Sequence, residues 1–241
     1  MKFARLVEHR FGKERAALYE TEVEQLAENG YVRKEVSNFL ETYAMSLGIY
    51  DLLSMLSRSK LSVEALEKSL IFLLSRHVTI TESLSKVLKP RSRILDAGCG
   101  RGLITCSLSL KGFEVHGTDI SADALRIAEK LAHKLKCKPT FHLIELDELP
   151  FPNAYFDAAL CIWTLHEIPP DRIPKLFTEL HRTLRKTGTV FIIDQEGVTP
   201  MEIVKSALTQ SGFKLDSEES LLPVYDHGKA SRALMLRYVR E

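Results

Sequence analysis

The chain has 241 residues, 45% of them hydrophobic and 27% charged, which is the composition of an ordinary globular protein and excludes disordered, collagen-like and mucin-like classes. Lys and Arg number 33 against 32 Asp and Glu, a net charge of +1. No polyanionic partner is implied, because non-specific nucleic-acid binding rests on clustered positive charge.

Lys2, Arg5 and Glu8 put charges where a signal peptide needs its apolar stretch. The longest strongly apolar run, Leu70 to Leu74, is far short of the roughly 20 residues that cross a bilayer. A cytoplasmic protein without membrane segments is therefore expected. Residues 1–89 hold three glycines (Gly12, Gly30, Gly48) and no proline. Val32, Val36, Phe39, Leu40, Tyr43 and Leu47 form one apolar stripe at helical spacing, and Val63, Leu66, Leu70, Leu73 and Leu74 another. This region reads as a helical N-terminal cap. Thr79 with Glu82 has the form of a capping box, which starts a last helix ending before Pro90.

From residue 90 to 241 short apolar runs alternate with amphipathic stretches, the pattern of an α/β domain. Strands are predicted at Arg93–Asp96, Glu114–Thr118, Thr140–Ile144, Phe156–Ile162 and Thr189–Ile193, with Phe213–Leu215 and Ala233–Val239 closing the sheet. Helices are predicted over Ala122–Leu135, with Ser121 as cap, and near Arg172–Arg185, with Gly188 just past its end. Arg182, Arg185 and Lys186 suit the C-terminal end of that helix dipole. Thr199-Pro200-Met201-Glu202 offers an N-cap, a first-turn proline and an acid for a further helix. The fold class is thus a doubly wound, mostly parallel seven-stranded sheet with flanking helices, preceded by an all-helical cap.

Chemistry concentrates in Ile94-Leu95-Asp96-Ala97-Gly98-Cys99-Gly100-Arg101-Gly102. A buried strand ends in an acid and runs through Gly-x-Gly-x-Gly into a helix. Glycines allow a tight turn and close approach of the backbone to a ligand, and ligands of open α/β sheets lie beyond the carboxyl ends of the strands. The dinucleotide fingerprint Gly-x-Gly-x-x-Gly places its third glycine one residue later, and an acid at the strand end suits a positively charged ligand better than a pyrophosphate. Asp119, just after the second strand, can accept from both hydroxyls of a ribose; it also suits a helix cap. Glu145 follows the third strand and can receive an adenine amino hydrogen. Leu149-Pro150-Phe151-Pro152 then leads into Phe156-Asp157.

With these residues the sequence resembles the class I, Rossmann-like S-adenosylmethionine-dependent methyltransferases, in particular their small-molecule branch. The resemblance covers roughly residues 90–241. It implies that Asp96, Ala97, Gly98, Cys99 and Gly100 surround the methionine part of S-adenosylmethionine, that Asp119 binds the ribose, and that Ile120 packs on the adenine. It places Glu145 at the adenine, where the family usually has Asp, with Leu146 beside it, and Cys161 in the segment passing under the transferred methyl. S-adenosylhomocysteine would be the product. His166, in Trp163-Thr164-Leu165-His166-Glu167-Ile168, stands where many of these enzymes carry a His; it either shapes the loop or serves as general base. Trp163 either packs the loop or faces the sulfonium.

The four cysteines, Cys99, Cys106, Cys137 and Cys161, form no Cys-x-x-Cys pair, so no metal site is expected. After the fourth strand there is no Asn-Pro-Pro-Tyr type of sequence, as used by amino methyltransferases of nucleic acids. With balanced charge this favours a small-molecule acceptor. A protein or RNA acceptor, a non-catalytic S-adenosylmethionine-binding module and a nucleotide-dependent oxidoreductase remain the alternatives, and residues 1–89 suit either an acceptor-pocket lid or a homodimer contact.

Overall fold

Strand β1 (Arg93–Ala97) and strand β4 (Phe156–Ile162) are buried along almost their whole length, as strands covered on both faces must be. The computed structural model describes residues 80–195, 199, 201–226 and 229–240. Residues 88–132 and 137–241 make up one of two units of the chain. Of the other, residues 80–87 are helical; the helical cap expected over residues 1–79, with Thr79 of the capping box, lies outside the described residues.

The remaining strands are β2 (Glu114–Asp119), β3 (Thr140–Leu143), β5 (Leu184–Gln195), β6 (Phe213–Asp226) and β7 (Lys229–Arg240). They assemble in the order β3-β2-β1-β4-β5-β7-β6. β3 through β5 pair in parallel, and β7 enters antiparallel between β5 and β6. The chain order reverses between β1 and β4, and a ligand crevice opens at such a switch point.

Helix α1 (Leu103–Leu110) starts at Gly102, whose φ of 75° only glycine adopts without strain. Helix α2 (Ala122–Leu135) coincides with its predicted span, and Ser121 Oγ accepts the Ala124 N–H at 3.2 Å as the expected cap. Helix α3 (Ile173–Thr183) buries Ile173, Leu176, Phe177 and Leu180, a stripe at helical spacing. With helix α4 (Met201–Gln210), β4, β5 and the turn at Leu149 and Phe151, it closes one continuous apolar cluster.

Three expectations are corrected. Helix α3 stops at Thr183, and Leu184 is already extended and paired with Phe156. Between Leu184 and Thr189 strand β5 bulges, with Thr187 at φ 65°. A Cβ on Gly188 would lie 2.8 Å from the Arg185 carbonyl oxygen, so this glycine serves the bulge rather than a helix end. Arg185 and Lys186 accordingly stand in β5, where Arg185 pairs with Asp157 at 2.6 Å. The closing strands run much longer than their apolar cores, with Pro223 tolerated at a register shift. The Thr199 hydroxyl has no hydrogen-bond partner among the described residues, so the expected side-chain cap of α4 is not made there.

Arg182, on the last turn of α3, does more than face the helix dipole. Its guanidinium donates to the carbonyls of Leu149 and Phe151 at 2.7 and 2.8 Å, and forks onto Glu179 at 2.7 and 2.9 Å. It thereby ties the proline-rich turn to α3. Arg182→Ala is expected to lower unfolding free energy by about 1–2 kcal/mol, the low end for hydrogen bonds of a charged group because the side chain is 34% exposed; urea denaturation reads this.

Candidate cofactor and acceptor site

The loops that follow β1, β2, β3 and β4 converge beyond the carboxyl ends of the strands on a cavity of about 460 Å³. That volume lies within the range of small-molecule sites. Gly98 and Gly100 line it from the first loop, Asp119 and Ile120 from the second, Glu145, Leu146 and Asp147 from the third, and Trp163, Thr164 and Glu167 from the fourth.

The first loop is held by its own backbone. Gly98 and Cys99 donate to the Thr118 carbonyl at 2.9 and 2.8 Å, and Gly100 N–H donates to Asp119 Oδ2 at 2.8 Å. Asp119 Oδ1 accepts the Ser121 N–H at 2.9 Å. One carboxylate therefore fixes two loops. Its oxygens keep lone pairs for further donors, since an ionised carboxylate offers about four acceptor sites. The two pocket glycines differ in role. A Cβ on Gly98 would fall 2.3 Å from Thr164 Cγ2, whereas a Cβ on Gly100 would meet nothing within 4 Å. Gly98 is a packing glycine and Gly100 faces open space.

Asp96 is only 2% exposed and does not line the cavity. Thr105 donates to its Oδ2 at 2.5 Å from α1. Burial pushes its carboxyl up to about 6, against the lowering effect of the Thr105 hydrogen bond, with the Asp119 charge adding to the rise. Ala97 and Cys161 are fully buried beneath the site. Cys99 packs its sulfur against Gly117, where a Cβ would come within 2.8 Å. Burial raises both the Cys99 and Cys161 thiols far above their usual range, so neither is a nucleophile. Of the predicted cofactor residues, the structure thus brings Gly98, Gly100, Asp119, Ile120, Glu145 and Leu146 to the cavity wall and keeps Asp96, Ala97, Cys99 and Cys161 behind it.

Glu145 is not free in this arrangement. Arg172 Nη2 lies 2.5 Å from its Oε2, and the same guanidinium contacts Asp147 at 2.7 Å. The Arg172 hydrogen bond holds the Asp147 carboxyl below the usual carboxylate range. Arg172, Asp147, Thr164 and Glu167 line the cavity without having been singled out in the sequence. No local signal could have shown Arg172, because its partners lie 25 and 27 residues away. Trp163 lines the cavity with its backbone at φ 52°, an uncommon conformation that concentrates at functional sites. His166 does not line the cavity; its Nδ1 lies 3.0 Å from Oδ1 of the buried Asp194.

Residues 94–188 match a protein family described as "Methyltransferase domain". This part of the chain is similar to that family. A ubiquinone biosynthesis O-methyltransferase of Alkalilimnicola ehrlichii is 36% identical over 78 residues, 32% of each protein. A phosphoethanolamine N-methyltransferase of Arabidopsis thaliana is 30% identical over 142 residues, 57% of this chain and 28% of that protein. The chain spans no more than half the length of these curated relatives. The crystal structure of a magnesium protoporphyrin IX methyltransferase from Synechocystis, with S-adenosylmethionine bound, has the same fold at a TM-score of 0.62 and 18% identity, covering 83% of this chain and 90% of that one. Within this matched stretch the cavity occupies the switch point between β1 and β4, where open α/β sheets bind their ligands.

Proposed function

We propose that residues 90–241 transfer the methyl group of S-adenosylmethionine to a small-molecule acceptor. The observation that carries the reading is the juxtaposition of Gly100 and Asp119 at the cavity wall: a loop open to backbone approach beside an ionisable acceptor for a ribose. The residues present fit the cofactor. Gly100 gives its amino-acid part access to the loop backbone, Asp119 faces the ribose, and Ile120, 72% exposed at the cavity rim, offers an apolar face to the adenine. Glu145 reaches the adenine amino group only by sharing its carboxylate with Arg172.

When bound, S-adenosylmethionine supplies a methyl on a positively charged sulfur that departs as a neutral thioether. The chain therefore has no leaving anion to stabilise, and its work is positioning, exclusion of water and removal of the acceptor's proton. A small-molecule acceptor is supported by the relatives, whose names point to small molecules methylated on oxygen or nitrogen. No helix among the described residues is long and apolar enough to cross a membrane, which fits a cytoplasmic enzyme.

Asp119→Ala is expected to weaken S-adenosylmethionine binding by about 1.5–3 kcal/mol, the range for hydrogen bonds to a charged group. Titration calorimetry measures it, and an affinity within twofold of the parent would remove Asp119 from the site. Cofactor binding by the parent without methyl transfer to any of a panel of acceptors would point instead to a binding module.

A further inference from the structure

Arg172 immediately precedes α3 and lines the cavity together with Glu145 and Asp147 of the loop after β3. Its Nε and Nη2 both reach Asp147 Oδ2, at 3.1 and 2.7 Å. The same Nη2 donates to Glu145 Oε2 at 2.5 Å. The two carboxylates differ in setting: the Asp147 side chain is 18% exposed and the Glu145 side chain 66%. Lys175 Nζ also stands 3.6 Å from Asp147 Oδ2. The guanidinium is thus anchored on the sheltered carboxylate and holds the exposed one by a single oxygen, which leaves Glu145 Oε1 to another donor.

We infer that Arg172 is a positioning residue for base selection: it fixes Glu145 Oε1 at the cavity wall as an acceptor, so that the site takes a purine bearing an exocyclic amino group and rejects one bearing a carbonyl there. The inference rests on the methyl-transfer reading, in which Glu145 adjoins the adenine. A glutamate side chain that is largely in water samples many rotamers, and freezing them to meet a ligand costs entropy that offsets one exposed hydrogen bond. Arg172, itself fixed by Asp147, removes that cost before the ligand arrives. An ionised carboxylate only accepts, so it bonds an amino N–H and repels a carbonyl oxygen. Placed firmly, it discriminates; left to swing into solvent, it does not. Exposed ion pairs contribute little to stability, so the loss of Arg172 is read in the choice of ligand while the fold persists.

The test compares calorimetric affinities for S-adenosylhomocysteine and S-inosylhomocysteine, in which oxygen replaces the amino group of the base. The parent is expected to favour the adenosine ligand by at least about tenfold, as a site built around one hydrogen bond does. Arg172→Gln should bring that ratio below about threefold, and Arg172→Lys, which keeps the charge without the fork that joins the two carboxylates, should fall between. Glu145→Gln should also lose the preference, because an amide can turn to offer either an oxygen or an NH₂ group. Adding Arg172→Gln to Glu145→Gln should then change the ratio by less than about twofold, since the two residues act as one unit.

A parental ratio in folded Arg172→Gln, or in Arg172→Lys should the glutamine variant not fold, overturns the inference, even if both affinities drop together, because an equal drop marks a merely structural role. A full Arg172→Gln effect in the Glu145→Gln background also overturns it, since Arg172 would then act on the base without Glu145. The parent measurement depends on no variant. Failure of the parent to bind either ligand sinks the methyl-transfer reading and base selection with it, whereas binding of both with equal affinity sinks base selection alone.

Discussion

Gly100→Val is expected to fold cooperatively and to lose S-adenosylmethionine binding by at least about a hundredfold. Gly100 sits at φ 53°, and a Cβ built there meets nothing within 4 Å. A β-carbon therefore meets no steric conflict with the protein. The cost to the fold is confined to the left-handed backbone, on the order of 1–3 kcal/mol for a strained residue, which a domain of ordinary stability survives. The cost to the ligand is larger. Two methyl groups would occupy the space through which the cofactor approaches the loop, beside the Gly100 N–H that anchors Asp119. The neighbouring glycines should behave differently. A Cβ on Gly98 falls 2.3 Å from Thr164 Cγ2, and one on Gly102 falls 2.7 Å from Ala128 Cβ and 3.1 Å from Phe141, so valine at either is expected to unfold the domain at moderate temperature. Circular dichroism with calorimetry separates the cases. Parental affinity in Gly100→Val would mean that the loop is a structural turn and no more.

That contrast shows what a sequence can and cannot disclose. Gly-x-Gly-x-Gly after a buried strand reveals the loop and its place, because glycine spacing and strand hydrophobicity are local properties. It does not reveal that Gly98 and Gly102 serve packing while Gly100 faces the ligand space, because that division depends on Thr164, Ala128 and Phe141 arriving from elsewhere. The same limit governs the rest of the molecule. Strand β4 and helix α2 were legible to the residue, since apolar runs and helical stripes are short-range signals. The outer parts of β6 were not, since Asp216-Ser217-Glu218-Glu219 lies beyond the apolar Phe213–Leu215 and its strand pairing with β7 is a long-range property. Asp96 reads as a cofactor residue on resemblance, yet its side chain turns to Thr105 and lies behind the cavity wall. Arg172 had no local signature, and neither did the partnership of His166 with Asp194, 28 residues on.

Asp96→Asn is expected to make the domain more stable at pH 7 to 8 and to leave its stability near pH 4 almost unchanged. The carboxyl of Asp96 titrates at about 6 in the folded protein, against 3.8 for an ordinary aspartate, chiefly because burial disfavours its charged form. The folded state therefore binds this proton more tightly than the unfolded chain. Below about pH 4 both states are protonated and the favourable difference is fully present; as pH rises through 4 to 6 the unfolded chain gives up its proton first, and stability is lost. Two units of pKa correspond to about 3 kcal/mol. Asparagine keeps the shape and an oxygen for the Thr105 hydroxyl but removes the titration, so the difference between parent and variant should grow by up to about 3 kcal/mol from pH 4 to pH 8 in urea denaturation. A difference independent of pH would mean that the carboxyl titrates normally. A buried charge that weakens the fold at neutral pH is explained if it serves the ligand, because S-adenosylmethionine carries a sulfonium and an ammonium and a low-dielectric site magnifies their attraction to a nearby carboxylate. The variant should accordingly bind S-adenosylmethionine less tightly than the parent at pH 8, and the loss should be smaller for S-adenosylhomocysteine, whose sulfur is neutral. Equal losses for the two ligands would place the effect in loop geometry rather than in charge.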